Sequence, residues 1–401
     1  MSAPLDEATR AIVRATVPAL KAHGVAITTE MYRRLLARPE IRDLFNLSHQ
    51  RDGEQPRALA LAVLAYAEHI DRLDALGGMV ERIAGKHVGL NILPEHYPYV
   101  AEALLGAIAH VLGDAATPDI LEAWGKAYWF LADILIGREK QIYDAHAAAP
   151  GGWTGWRAFR VRARHRETAS IVSFELVPVD GGPIARHRAG QYLSFRLEVP
   201  GHGAQRRNYS ISSVPGADHY RISVRRAEGG VVSPWLHDSV GEGTELQVAN
   251  PAGDFVLDGT GPVTFLTAGV GLTPAMAMLG ELAQAGGGRR VRYVHGAESE
   301  ESAAFVADVS ALAARGVVTA DFFYARESGV AAEGGPGMTR HAGRIDADWV
   351  RETLDRAATY YVCGPDSFMR DMVGALRAEK LPAAQIRYEV FGSAADPELV
   401  L

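Results

Sequence analysis

The chain has 401 residues, 48% hydrophobic and 22% charged, with a formal charge of −7; this is longer than one core usually spans, so two or three globular domains are expected. The acidic balance excludes the basic footprint of a nucleic-acid or anionic-membrane binder, and a single cysteine, Cys363, excludes an internal disulfide framework. The opening MSAPLDEATR lacks the pattern of a secretory signal, and the apolar run 59–67 is too short to cross a bilayer, so a soluble, cytoplasmic chain without a transmembrane segment is expected.

Residues 1 to 147 read as helical, with long stretches of helical period at Ala58 to Leu73, Tyr99 to Leu112 and Ile120 to Ala145, separated by turns at Pro39, Gly53, Pro94 and Pro118. Within them ERIAGKHVGLNI, 81–92, reads as an amphipathic helix whose stripe of Leu76, Val80 and Ile83 ends in His87. Such a histidine is either a hydrogen-bonded core imidazole or a metal ligand, and taken alone the first reading is the better one. After Pro150, Gly151 and Gly152 the texture changes to short alternating runs (RAFRVRARHR, SIVSFELVPV, QYLSFRLEV, HYRISVRR, ELQVANPAG) bounded by Gly, Pro or Asp, the pattern of an antiparallel sheet or small barrel. From about residue 260, apolar strands (PVTFLTAG, VRYVHGA, TADFFYA, TYYVCGP) alternate with helices at Ala275 to Ala285, Ser302 to Ala314 and Asp366 to Glu379, as in a doubly wound parallel sheet. The expected fold is thus multidomain: an all-α domain at 1–147, an antiparallel β-barrel at 153–258 and an α/β domain at 259–401.

Two turns in the last segment carry chemistry. The first strand runs into AGVGLTPAMAML, where Gly269 and Gly271 free the backbone to turn and a helix opens near Pro274, offering N–H groups and a helix dipole to a pyrophosphate. The second, YVCGPDSFM, leaves a later strand in the same way, at the strand ends where open parallel sheets bind ligands. Cys363 there lies near a reactive ring or is mere packing. In the middle segment RNYS, 207–210, is read at the start of a strand: Arg207 offers a fork for phosphate, Tyr209 a ring for stacking and Ser210 a hydroxyl.

RNYS, together with AGQY at 189–192, GGVVSPWLH at 229–237, GVGLTP and CGPDSFM in that order, resembles the ferredoxin-NADP reductase family over roughly residues 153–401. That resemblance implies an FAD site at Gln191, Tyr192, Arg207, Asn208, Tyr209, Ser210, Val232 and Ser233. It implies a nicotinamide-nucleotide site, for NADH or NADPH, at Gly269, Val270, Gly271, Leu272, Thr273 and Pro274 with Cys363, Gly364 and Pro365. Leu272 stands where related reductases often carry a polar residue. In the C-terminal YEVFGS, Glu389 is implied near the redox centre and Phe391 over the flavin ring, with Val390, Gly392 and Ser393 beside them. Taken alone, Glu389 and Phe391 read as a strand-end charge and a core aromatic.

The helical segment then gains meaning. Tyr32 on a stripe with Thr28, Leu35 and Leu36, Phe45 after Pro39, Gln55 leading a stripe with Leu59, Ala62 and Tyr66, and His87 thirty-two residues after Gln55 are similar to a globin. A globin followed by this reductase is the flavohaemoglobin architecture. The resemblance implies haem b with His87 as proximal iron ligand, Tyr97 and Glu139 behind it, Tyr32 and Gln55 on the distal side, Phe45 and Leu59 lining the haem, and Lys86 and Glu389 tuning redox potentials or electron transfer. His69, also on an apolar face, competes with His87, and Tyr32 taken alone reads better as a core tyrosine. The activity implied is that of a nitric oxide dioxygenase, in which NAD(P)H reduces FAD, FAD reduces haem iron, and haem-bound O₂ reacts with NO to give nitrate. The small-molecule partners are then NO and O₂, with room for a lipid in the distal pocket, in a monomeric protein. A haem and flavin reductase of hydroperoxides or quinones and a haem-based O₂ or NO sensor are the other readings.

Overall fold

The computed structural model describes residues 4–42, 54–72, 77–286, 288–327 and 332–391. Phe45, Gly392 and Ser393 lie outside the described residues, as does the side chain of Gln55, whose backbone opens a helix. The first segment forms α1 (Glu7–Ala15), α2 (Val17–Leu36), α3 (Pro39–Arg42), α4 (Glu54–Glu68), α5 (Gly77–Gly89), α6 (Tyr97–Leu112) and α7 (Pro118–Ala148). The last begins two residues before its periodic stripe, because Thr117 caps the Ile120 N–H and Pro118 occupies the first helical position, where no amide donor is missed. One core gathers Val13, Leu20, Ile27, Leu35, Trp124 and Ala127. A smaller cluster of Ala84, Tyr97, Ala132 and Leu135, joined by Val80 and Ile83, fills the space between α5 and α7.

The second segment is an antiparallel sheet of β1 (Arg157–Arg166), β2 (Ile171–Pro178), β3 (Tyr192–Val199), β4 (Gly203–Ser210), β5 (Tyr220–Arg225) and β6 (Glu245–Val248), with α8 (Val232–Ser239) at one end. Its order is β4-β3-β6-β1-β2-β5, and a bridge between Ile211, just past β4, and Ile222 of β5 closes it into the expected barrel. Phe159, Phe174, Phe195, Tyr220 and Ile222 fill its interior. RNYS lies at the end of β4, not at the start of a strand. The strand was hidden because its first half, GAQR, has no apolar alternation to display and is specified instead by register against β3, Val199 to Gly203 through Tyr192 to Ser210.

The third segment contains β7 (Val263–Ala268), α9 (Thr273–Gln284), β8 (Val291–Ala297), α10 (Val306–Ala314), β9 (Thr319–Tyr324), β10 (Ala332–Gly335), β11 (Met338–Ala342), α11 (Ala347–Glu352), β12 (Thr359–Gly364), α12 (Asp366–Ala378) and β13 (Ile386–Val390). The sheet order is β10-β11-β9-β8-β7-β12-β13, parallel except at β10. One side is packed by α9 and α10 over Phe265, Tyr293 and Phe322, the other by α11 and α12 over Leu266, Val294 and Val362. The start of α10 falls at Val306, later than Ser302, because Phe305 takes a left-handed backbone conformation with φ of 59°. Among the described residues no helix is long and apolar enough to cross a membrane.

Candidate functional site

His87 sits in the last turn of α5, where Val80, Ile83 and Ala84 turn the helix toward α7. Its Nδ1 lies 2.7 Å from Glu139 Oε1 and 3.2 Å from the Tyr97 hydroxyl, which itself donates to the same carboxylate oxygen at 2.6 Å. Glu139 is 2% exposed, on the inner face of α7. A carboxylate that accepts at Nδ1 fixes the imidazole tautomer, so Nε2 is left as the ring nitrogen with a lone pair for a metal. The second oxygen of Glu139 is buried with no hydrogen-bond partner among the described residues. A buried anion half satisfied in this way is costly, and a cation on the far side of the imidazole offsets that cost. The donor set therefore fits an iron porphyrin carried by His87. Burial and the negative charge of Glu139 push the Tyr97 phenol far up, keeping it a donor.

Two further tyrosines, absent from the sequence reading, complete this cluster: Tyr128 donates to the Tyr97 carbonyl at 2.7 Å and Tyr143 to the Ile92 carbonyl at 2.9 Å. Both stand on α7, where they read as ordinary stripe residues. His69, the competing histidine, lies beyond the end of α4 and takes no part in the Glu139 cluster. Tyr32 is buried on α2 and Leu59 half-buried on α4, both within the main helical core.

At the barrel, β3 and β4 bring the flavin candidates together: Tyr192 is opposite Ser210, and Ser194 hydrogen-bonds Asn208 at 2.9 Å. Tyr209 packs edge-on to Phe195 at 5.6 Å. Burial lowers the pKa of the Arg207 guanidinium, which donates to the Arg206 carbonyl at 2.6 Å; a desolvated guanidinium of this kind suits a phosphate. Gln191 bridges the Arg188 amide and the Gly253 carbonyl, and Ser233 accepts from the Ala227 amide at the head of α8. The Val232 side chain lies in the barrel core at 2% exposure, leaving only its backbone to face a ligand.

The two glycine turns meet at the carboxyl ends of adjacent parallel strands β7 and β12. Gly269 adopts φ of 54° and enters a single 3-10 turn, 269–272, that leads into α9. A Cβ on Gly271 would lie 2.2 Å from the Cys363 carbonyl oxygen, so only glycine lets the turns touch. Thr273 donates its hydroxyl to the Val270 carbonyl at 3.1 Å. Leu272 is fully buried in the core, which accounts for its apolar side chain. Cys363 is also core, its thiol pushed up by burial and by Glu389, while Gly364 and Pro365 form the step into α12.

Glu389 stands on β13 opposite Cys363, with Val390 and the exposed Phe391 following. Burial and repulsion from Asp254 push its carboxyl up to about 7, a rise partly offset by Lys86 at the end of α5. The helical, barrel and α/β segments thus converge at one place, through Lys86, Asp254 and Glu389. Asp254 carried no signal in sequence beyond the turn PAGD.

Three family models match the chain: Globin at residues 29–135, Oxidoreductase FAD-binding domain at 169–257 and Oxidoreductase NAD-binding domain at 265–374. A flavohemoprotein of Deinococcus radiodurans is 49% identical over 392 residues, covering 96% of both chains. One of Pseudomonas putida is 45% identical, covering 98% of this chain and 99% of its own. Among solved structures, a flavohemoglobin from Malassezia yamatoensis with bound FAD and heme superposes with a TM-score of 0.84 at 29% identity, covering 97% of this chain and all of that one. The FAD/NAD-binding domain of a nitric oxide dioxygenase from Vibrio cholerae gives 0.54 at 33% identity, covering 59% of this chain and 98% of its own.

Proposed function

This chain is an oxidoreductase belonging to the flavohemoprotein family, and from that membership and its site geometry we propose that it is a nitric oxide dioxygenase, converting NO and O₂ to nitrate with reducing equivalents from NADH or NADPH. When bound, haem b, FAD and the nicotinamide nucleotide supply hydride transfer, single-electron transfer and oxygen binding, chemistry that no side chain of the protein provides. The three parts correspond to residues 1–147, 153–258 and 259–401, working as a cytoplasmic monomer.

In this reading His87 carries the iron through Nε2 while Glu139 and Tyr97 hold its other nitrogen and strengthen it as an electron donor. Tyr32 and Gln55 hydrogen-bond a diatomic substrate on the opposite side, within walls formed by Phe45 and Leu59. Arg207 and Ser233 take the flavin phosphates; Gln191, Tyr192, Asn208, Tyr209, Ser210 and the Val232 backbone orient the ring system. Residues 269–274 and 363–365 receive the nucleotide, and Phe391 covers the flavin, with Glu389, Val390, Gly392 and Ser393 assigned to the same site and Lys86 tuning electron transfer with Glu389.

The observation that carries the proposal is the cluster of half-buried His87 with buried Tyr97 and Glu139, which builds a strongly donating imidazole and wastes a buried carboxylate in any other role. The test is NADH consumption by the holoenzyme under four gas conditions. Oxidation that requires NO and O₂ together, with nitrate as product, is the expected result. Turnover with a hydroperoxide in the absence of NO, and none with NO and O₂, would assign the chain to peroxide reduction instead.

A further inference from the structure

Two residues after His87, α5 ends at Gly89, and Gly89 and the next residue, Leu90, rest on the barrel. A Cβ on Gly89 would approach the Tyr192 hydroxyl to 3.0 Å and the Ala252 Cβ to 3.4 Å. The carbonyl of Leu90, one of those a helix end leaves unpaired, accepts from Arg206 Nη1 on β4. Arg206 is 7% exposed although it is charged. Its guanidinium lies over the ring of Trp156 at 5.1 Å, and Arg196, its cross-strand neighbour, approaches the same ring at 5.7 Å. Trp156 belongs to the connector between α7 and β1, itself tied down where the Trp153 indole donates to the Val248 carbonyl at 3.1 Å. One side chain therefore joins the end of the His87 helix, the connector and the strand that bears RNYS. A cation at a helix C-terminus is favoured by the dipole, and burial on an aromatic face strengthens the hold.

We propose that Arg206 is a positioning residue for electron transfer from flavin to haem: it clamps the carboxyl end of α5 to the flavin barrel and so sets how the two redox centres stand to each other. The inference rests on the assignment of haem to His87 and of flavin to β3 and β4. Arg207, next in sequence, is the residue assigned to the flavin phosphates, whereas Arg206 bonds the Leu90 carbonyl and lies over Trp156.

Two variants of the full-length holoenzyme test this: Arg206→Leu, which keeps an apolar cover over Trp156 but loses the bond to Leu90, and Trp156→Leu, which removes the platform from the other side. In anaerobic stopped flow with NADH, flavin reduction should proceed at the wild-type rate, while the following haem reduction slows roughly tenfold to a hundredfold, the range that loss of ångström-level placement costs. In hydrogen exchange, the amides of Leu90, Asn91 and Ile92, bonded back to Lys86, Val88 and His87, should lose protection in both variants. Haem reduction at the wild-type rate with unchanged protection overturns the clamp. If the wild-type protein takes up no haem or no flavin, the functional assignment fails, and with it the electron-transfer role of Arg206. Lost protection would then still show the contact, and kept protection would remove that as well.

Discussion

The hydroxyl of Tyr97 donates to Glu139 and its carbonyl accepts from Tyr128, so the tyrosine is held at both ends while it presses the carboxylate toward His87. Replacing Glu139 by Gln removes the anion but keeps the shape. The haem-loaded variant is expected to show a lower iron–histidine stretching frequency in resonance Raman spectra and a midpoint potential shifted upward, since a neutral acceptor pulls less on the Nδ1 proton. Tyr97→Phe should move both quantities in the same direction by less, because the closer 2.7 Å contact between His87 and Glu139 survives it. On the opposite side, Tyr32→Phe should raise the O₂ dissociation rate about tenfold or more, the scale of one lost hydrogen bond to a charged acceptor. An unchanged rate in a rapid-mixing displacement experiment would remove Tyr32 from the distal site.

Among the strands and turns, the tightest constraint is the contact of the two glycine loops. Gly271→Ala forces a methyl into the Cys363 carbonyl, so it should cost about 1–3 kcal/mol of stability in the α/β domain. It should also weaken NADH binding while leaving haem and flavin content at wild-type levels, as read by nucleotide titration and absorption spectra. Strand β8 gives a pH dependence. His295 is 1% exposed, and because Thr267 donates to the Val294 carbonyl, His295 Nδ1 donates to Thr267 and Nε2 is a bare buried acceptor. Burial lowers its pKa from the usual 6.5 to about 3. Between those values the unfolded chain binds the proton and the native state does not. Stability contributed by neutral His295 is therefore intact above about pH 6.5 and is lost as pH falls toward 3, by up to a few kcal/mol. In acid titration followed by circular dichroism, His295→Phe should retain more of its α/β structure below pH 6 than the parent. The legibility of these elements from sequence follows the same physics. Helices with an apolar stripe and strands buried on both faces announced themselves through period, and RNYS and GVGLTP through the chemistry of their side chains. Strand β4, Asp254 and Arg206 were silent, because their places are set by register and by contacts with distant segments rather than by local pattern. Tyr128 and Tyr143 were visible only as stripe members, since hydrogen bonds to backbone carbonyls leave no periodic trace.

The molecule as a whole is built on several cores, two within the helices, one within the barrel and two flanking the parallel sheet, one of which also takes in Ile171, Ala189 and Phe255 of the barrel segment. Heating should therefore unfold it in more than one calorimetric transition. The transition of the helical part should rise on adding haem, by about 4 kcal/mol of stabilisation at a thousandfold excess over the dissociation constant, while the others stay in place. Between the helical part and the barrel, the connector turns so sharply that a Cβ on Gly152 would lie 1.9 Å from the His146 carbonyl oxygen. So short and pinned a tether makes the reductase and the haem domain neighbours at a fixed local concentration, whatever the number of copies in the cell. Electron delivery to the haem is then first order. A cell holding only a few molecules of this protein would reduce their haem at the same rate per molecule as one holding thousands, an advantage that a diffusing reductase and a separate globin could not match.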